Sequence, residues 1–413
     1  MKSRSAPLIR ASLCMWALVL LGAALAMPSL AKEYLIGMQC DRQGPTATVG
    51  QVYCPGVHDY IKLFNSKNSI PGHTVRLMEI DTGYNVPRSV EAYERHKASG
   101  ALSIMIWGTP ATVALTEKLT EDRILGTSPG FGSAAAANGQ RFPYLFPAAA
   151  SYWSQAATGI QFIMERWTGS KPPKIAYIYY DNPAGREPLP ILNDLRQQLG
   201  FALREFAVPP PAIEMRPQVL DIARKFRADW TMNHLFGRGP SVSLKEFTRV
   251  GFKRDQMLGF VWAGAESDIA PAGWESAQGY YTMQFAHVGT KHPLLDEIRA
   301  MHRKEGQEPP EAMQFSVYYN RGIANIALHA EAIRRAVAKH GPDINGVQVK
   351  DALESMDGFN LDNFIAPVHM SRQDHEGGGF VRIFQVSGES YRPVSGWIQG
   401  YREVVMKHVL AGS

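Results

Sequence analysis

Cysteine is scarce: three residues in 413, one of them, Cys14, inside an apolar run at the N-terminus. That excludes a disulfide-stapled scaffold and any thiolate-rich zinc module. A strong charge of either sign is also missing. There are 43 basic and 38 acidic residues, and the small excess is spread along the chain, which excludes a nucleic-acid surface. Beyond the N-terminal segment no apolar run is long enough to cross a bilayer. The motifs of familiar chemistry are absent too: no HExxH, no GxSxG, no Walker loop, and no GxGxxG between a strand and a helix. Ser267, in Gly264-Ala265-Glu266-Ser267, lacks the flanking glycines of a nucleophile elbow. His58 and His96 fall on predicted helices and His234 in a predicted strand, none with an assignable Asp or Cys partner. No catalytic residue, metal-ligand set or cofactor follows, and the chain is read as a non-enzyme.

What is present is an ordinary globular composition, 45% hydrophobic and 20% charged, with length for two or three domains. The N-terminus reads as an address. Lys2, Arg4 and Arg10 precede the apolar run Ala11 to Ala26, and small residues follow at Ser29 and Ala31. This is the pattern of a secretory signal peptide over residues 1–31, with cleavage after Ala31, or else after Ala26. Export to the periplasm is the expectation. In an oxidising compartment the remaining even pair, Cys40 and Cys54, reads as a disulfide closing a short loop, with two free thiols as the other reading.

Strands then alternate with helices. Strands are predicted at Tyr34–Cys40, His73–Asp81, Leu102–Trp107 and Ile124–Thr127, with helices between them. The rhythm restarts with a helix over Tyr152–Trp167 and strands at Lys174–Tyr180, Leu203–Val208, Trp230–Phe236 and Met257–Trp262. After Tyr280–Phe285 a long helix over Phe315–His340 follows. The tail from Phe364 reads as strands after the turn His375 to Gly379. Such alternation implies α/β architecture with parallel sheets covered on both faces. In open sheets of this kind ligands bind outside the carboxyl ends of the strands. Those ends offer Trp107-Gly108-Thr109-Pro110, with Thr109 as a helix N-cap. They also offer the glycine loop Ser128 to Ser133, and aromatic residues at Phe236 and Trp262, with Tyr152 at the head of its helix. Trp107, Phe236, Trp262 and Tyr152 are the candidate apolar walls.

The order of these segments resembles the type I periplasmic solute-binding proteins of ABC importers, in the leucine/isoleucine/valine-binding branch. The likeness rests on Ile36-Gly37 through Gly44-Pro45 and Gly50, on Asp81 followed by Pro87, and on Trp107-Gly108-Thr109 with Ile124-Leu125 through Pro129. Lys174-Ile175-Ala176 to Asp181 and Gly185, and His375-Glu376-Gly377-Gly378, extend it over nearly the whole exported chain. The resemblance implies two Rossmann-like lobes joined by three hinge crossings, residues 32–151 plus 287–364 and 152–286 plus 365–413. It implies a monomer that captures a small molecule and delivers it to a membrane permease, with a ligand-sensing receptor or an exported enzyme as other uses of the scaffold. It also implies that Thr109, Gly130 and Gly132 grip a ligand carboxylate. The acidic residue that holds an α-ammonium in the family is replaced by Val261-Trp262, a tyrosine near Ala184 is missing, and an aromatic position is kept as Phe236. Gly132 stands where a hydroxyl residue is usual. An amino acid then needs Glu266 or Asp268 as partner, because a buried ammonium without one is costly. Otherwise an aromatic or other organic carboxylate, or a small amide, is the ligand expected.

Overall fold

A computed structural model describes residues 31–411. The leader expected over residues 1–31 lies outside the described residues, save Ala31. The first sheet holds β1 (Glu33–Cys40), β2 (Thr74–Asp81), β3 (Ser103–Met105), β4 (Leu125–Thr127) and β5 (Leu145–Phe146). They lie in the order β2-β1-β3-β4-β5, all parallel. The second sheet begins with β6 (Lys174–Tyr180), β7 (Ala202–Val208), β8 (Trp230–His234), β9 (Met257–Gly259) and β10 (Tyr281–Gln284). These five are parallel in the order β10-β9-β8-β6-β7. A two-stranded sheet of β11 (Asp357–Phe359) and β12 (Val368–His369) follows in the chain. Last come β13 (Val381–Ser387) and β14 (Ser390–Ile398), which extend the second sheet in antiparallel fashion beside β10.

The residue pattern explains the placement. β6 reads Lys-Ile-Ala-Tyr-Ile-Tyr-Tyr and is buried at all but its first residue; β8 is buried throughout. Continuous apolar strands of this kind require cover on both faces, and the helices supply it. These are α1 (Ala47–Ser66), α2 (Val86–Ala98), α3 (Thr109–Asp122), α4 (Tyr152–Arg166), α5 (Leu189–Leu199), α6 (Gly239–Arg249), α7 (Pro293–Lys304), α8 (Ser316–His340), α9 (Gly346–Glu354) and α10 (Arg402–Ala411). The first half of α8 is buried on every side and packs along α1. Two glycines permit that approach: a Cβ on Gly56 would lie 2.2 Å from the Tyr319 carbonyl oxygen, and one on Gly322 2.1 Å from that of Tyr53. The expected turn before β13 is present, with Gly377, Gly378 and Gly379 all at positive φ, where side chains are disfavoured.

The tail departs from expectation at its end. Residues 402–411 form a helix rather than a strand. Its valines Val404, Val405 and Val409 favour a strand locally, but they are buried where α10 packs against α4 and α5, and tertiary packing overrides propensity. β5, only two residues long, is too short to leave a periodic signal.

Cys40, at the end of β1, and Cys54, inside α1, are joined by a disulfide across 14 residues, and both are fully buried. The bond ties strand to helix beside the cleft. The native protein should resist alkylation until reduced, and the double Cys→Ala variant should lose about 3 kcal/mol of unfolding free energy by the loop-entropy estimate. Urea denaturation measures it, and an unchanged midpoint would remove the bond from the stability argument.

Candidate functional site

The carboxyl ends of both parallel sheets converge on one small cavity, partly open to solvent. The first lobe contributes Thr46 and Val49 after β1, Tyr84 after β2, Trp107 after β3 and Phe131 after β4. The second contributes Phe236 after β8 and Trp262 after β9, with Tyr152 at the head of α4. No charged side chain lines it.

Each ring is fixed from behind. Asp41, fully buried, accepts hydrogen bonds from the Gly44 amide at 2.5 Å, the Thr46 amide at 2.8 Å and the Thr46 hydroxyl at 2.6 Å. The Thr46 oxygen in turn accepts one from Trp107 Nε1 at 2.9 Å. This relay sets the plane of Trp107, whose edge meets Tyr53 at 5.3 Å and Phe131 at 6.0 Å. Tyr84 has φ 58, a strained value for a large side chain. Its ring packs on Gly108, where a Cβ would lie 2.5 Å away, and reaches Phe236 at 6.1 Å. Phe131 of the first lobe stacks on Trp262 of the second at 4.8 Å with 8° between planes. Trp262 Nε1 donates to the Gly130 carbonyl at 2.5 Å. Behind Trp262, the buried Arg321 guanidinium sits 4.9 Å from its ring centroid, and Tyr318 stacks at 5.7 Å.

Of the residues expected to face a ligand, Trp107, Phe236, Trp262 and Tyr152 are brought together as walls. Thr109, Gly130 and Gly132 lie one layer further back. Gly108, not Thr109, is the N-cap of α3, with φ 84, and Thr109 is the first helical residue. The Thr109 hydroxyl accepts from the Gly132 amide at 2.9 Å. Gly130 contacts the wall through its carbonyl. Thr46, Val49, Tyr84 and Phe131 were missed by the sequence reading, although Gly83-Tyr84 after β2 and the aromatic residue inside the Ser128–Ser133 loop were visible signals.

The carboxylates named as substitute ammonium partners are engaged elsewhere. Glu266 accepts from the Ser316 hydroxyl at 2.6 Å and the Val317 amide at 3.2 Å. Asp268 accepts from the Tyr318 hydroxyl at 2.6 Å and from the Gly264 and Ala265 amides at 3.0 and 2.8 Å. Burial pushes Asp268 up to about 7 even though these donors and Arg321 oppose it. Another carboxyl, Glu187, follows the short helix Pro183–Arg186 of the second lobe and accepts from the Ala134 amide of the first at 2.6 Å. Burial also pushes Glu187 up to about 7. His234 is core: Tyr177 meets its Nδ1 at 2.7 Å, Phe260 stacks on it, and burial lowers it to about 3. Among the described residues, the one grouping of potential metal donors is Cys40, Cys54 and Glu79, and its two sulfurs are bonded to each other.

Two α/β lobes closing their strand ends over a small aromatic cavity define a solute-binding protein. The chain belongs to the periplasmic binding protein family, whose model matches residues 33–390. It is similar in structure to a protein described as an ABC transporter permease from the Pseudomonas fluorescens group, with TM-score 0.84 and 29% identity over 92% of this chain and 95% of that one. A branched-chain amino acid ABC transporter protein from Thermus thermophilus with bound valine shares the fold at TM-score 0.79 and 22% identity, covering 91% and 98%. So does a fatty acid ABC transporter substrate-binding protein from Thermomonospora curvata, at TM-score 0.76 and 17% identity, covering 91% and 94%. No curated protein matches the chain.

The two raised carboxyls carry a pH consequence. Between about pH 4, where such groups titrate in an unfolded chain, and about 7, the folded chain holds protons that the unfolded chain has released. Their contribution to stability therefore falls as pH rises through that window. Glu187→Gln and Asp268→Asn should each flatten the decline. Melting temperatures from pH 4 to 8 measure it, and slopes identical to the wild type would show that neither group is protonated in the folded state.

Proposed function

We propose that the chain is the extracytoplasmic solute-binding component of an ABC importer of the branched-chain amino acid type. It binds and releases a small molecule without chemistry and presents it to a membrane permease. Its leader is removed on export to the periplasm, where it works as a monomer. Residues 32–151 plus 287–364 make one lobe and 152–286 plus 365–413 the other, with hinges at the three crossings. No helix among the described residues is long and apolar enough to cross a membrane, in keeping with a partner that supplies the membrane path.

One observation carries the ligand reading: the cavity between the lobes is walled by Tyr84, Trp107, Phe131, Tyr152, Phe236 and Trp262, and no carboxylate faces it. An α-ammonium group would be buried there without a partner, at a cost of several kcal/mol. A flat or apolar solute without an amino group meets no such cost and gains area burial and ring stacking of about 1 kcal/mol per favourable pair. The amino-acid specificity of some structural relatives therefore does not extend to this cavity.

A thermal-shift panel on ligand-stripped protein tests this. Leucine and valine should leave the melting temperature unchanged, whereas flat aromatic or apolar compounds should raise it. At about 100 times the dissociation constant the gain is roughly 2.7 kcal/mol. Trp262→Ala should weaken binding at least tenfold, about 1.4 kcal/mol, and Trp262→Phe should recover part of it. A response confined to leucine and valine would overturn the reading.

A further inference from the structure

Few polar side-chain atoms line the cavity, and most of them are spent within the protein. The Thr46 hydroxyl donates to Asp41 and accepts from Trp107 Nε1, and Trp262 Nε1 donates to the Gly130 carbonyl. Val49, Phe131 and Phe236 bring none. Of the two phenols in the wall, Tyr152 is 2% exposed and Tyr84 is half-buried. The Tyr84 hydroxyl has no hydrogen-bond partner among the described residues, and its oxygen keeps some surface open to solvent. Burial and the Asp41 carboxylate hold that hydroxyl above the usual phenol range, so it stays protonated and can donate. Burial and the neighbouring Tyr84 hydroxyl do the same to Tyr152, which places both hydroxyls at one end of the cavity.

The loop after β2 is built to hold this ring. Gly83 and Tyr84 both have left-handed backbones, with φ 58 at each, which glycine tolerates and tyrosine does not. Asp81 holds the turn by accepting from the Gly83 amide at 3.0 Å and the Arg42 amide at 3.1 Å. The Thr82 amide donates to the Cys40 carbonyl at 2.9 Å, and Asn85 caps α2 by accepting from the Arg88 amide at 3.1 Å. Gly44 leaves the space the turn needs: a Cβ there would lie 2.5 Å from the Gly83 carbonyl oxygen. Strain of this kind persists where the surrounding structure over-determines it, and it clusters at functional sites.

A solute that fills the cavity cuts the Tyr84 hydroxyl off from solvent. A solute with no acceptor leaves that hydroxyl buried and unbonded, whereas one that presents an acceptor oxygen restores its hydrogen bond. This asymmetry discriminates strongly against analogues that lack a polar atom.

We propose that Tyr84 is the specificity-determining residue of the cleft: its hydroxyl donates to an acceptor oxygen on the solute, so the ligand is a flat aromatic compound bearing a carbonyl-type oxygen rather than a plain hydrocarbon. This rests on the cavity reading given above and narrows it.

Acetophenone and α-methylstyrene have nearly the same shape and differ in C=O against C=CH2, so they isolate the oxygen. Calorimetry on ligand-stripped protein gives the ratio of the two affinities, and the change in that ratio on mutation cancels their difference in hydrophobicity. Tyr84→Phe, which removes only the hydroxyl, should shift the ratio about tenfold toward α-methylstyrene, the worth of one hydrogen bond. The melting temperature of the unliganded variant should match the wild type's, because the lost hydroxyl bonds nothing in the protein. An unchanged ratio would overturn the assignment. So would a lowered melting temperature with equal loss of both probes, which would give Tyr84 a packing role only. If either occurs while Trp262→Ala still weakens acetophenone binding, the assignment of Tyr84 alone falls. Acetophenone binding indifferent to Trp262→Ala, or wild-type protein that binds neither probe, would overturn the cavity reading and Tyr84 with it.

Discussion

Trp262 is the contact on which the closed cleft depends. Its ring lies flat on Phe131 of the opposite lobe, its indole N–H reaches the Gly130 carbonyl of that lobe, and Arg321 and Tyr318 support its far side. Stacking and a neutral hydrogen bond each contribute on the order of 1 kcal/mol. The lobes are therefore held by several small contacts rather than one strong one. That suits a protein that must open again. A solute shifts such an equilibrium only by its differential affinity for the closed state, and rings from both lobes around one small cavity provide that difference. A solute lying against Trp107 and Phe236 touches both halves only when they are together.

Much of this was legible in the sequence, and the limits were physical. β6 occupies the predicted residues because its signal is local, a continuous β-branched and aromatic run. Trp107, Phe236 and Trp262 could be placed at the cavity because strand ends are predictable and parallel sheets bind ligands there. Tyr84 was not, since its orientation depends on a positive φ and on a glycine 24 positions away. Phe131 was hidden inside a loop whose glycines drew attention to the backbone instead. Glu187 left no local signal at all. Its partner amides lie more than 50 positions earlier in the chain and on the other lobe, and a glutamate after a short helix ordinarily faces water.

The charged groups around the cleft follow one pattern. Asp41, Glu266, Asp268 and Glu187 all lie close to it, and each is turned onto backbone amides or hydroxyls of the protein. Such bonds offset part of the cost of burying each carboxyl without a cation. These residues therefore shape the loops without giving the cavity charge. Asp41 sets Trp107 through Thr46, Asp268 anchors the loop after Trp262 through the Gly264 and Ala265 amides, and Glu266 ties that segment to the start of α8. The acidic residues near the cleft build its aromatic walls, so counting acids in the sequence would predict a cationic ligand where the geometry leaves an apolar one. Polarity at a binding site is decided by which groups still lack a partner once the chain has folded, and in this cleft each acid has at least one oxygen bonded to the protein's own donors.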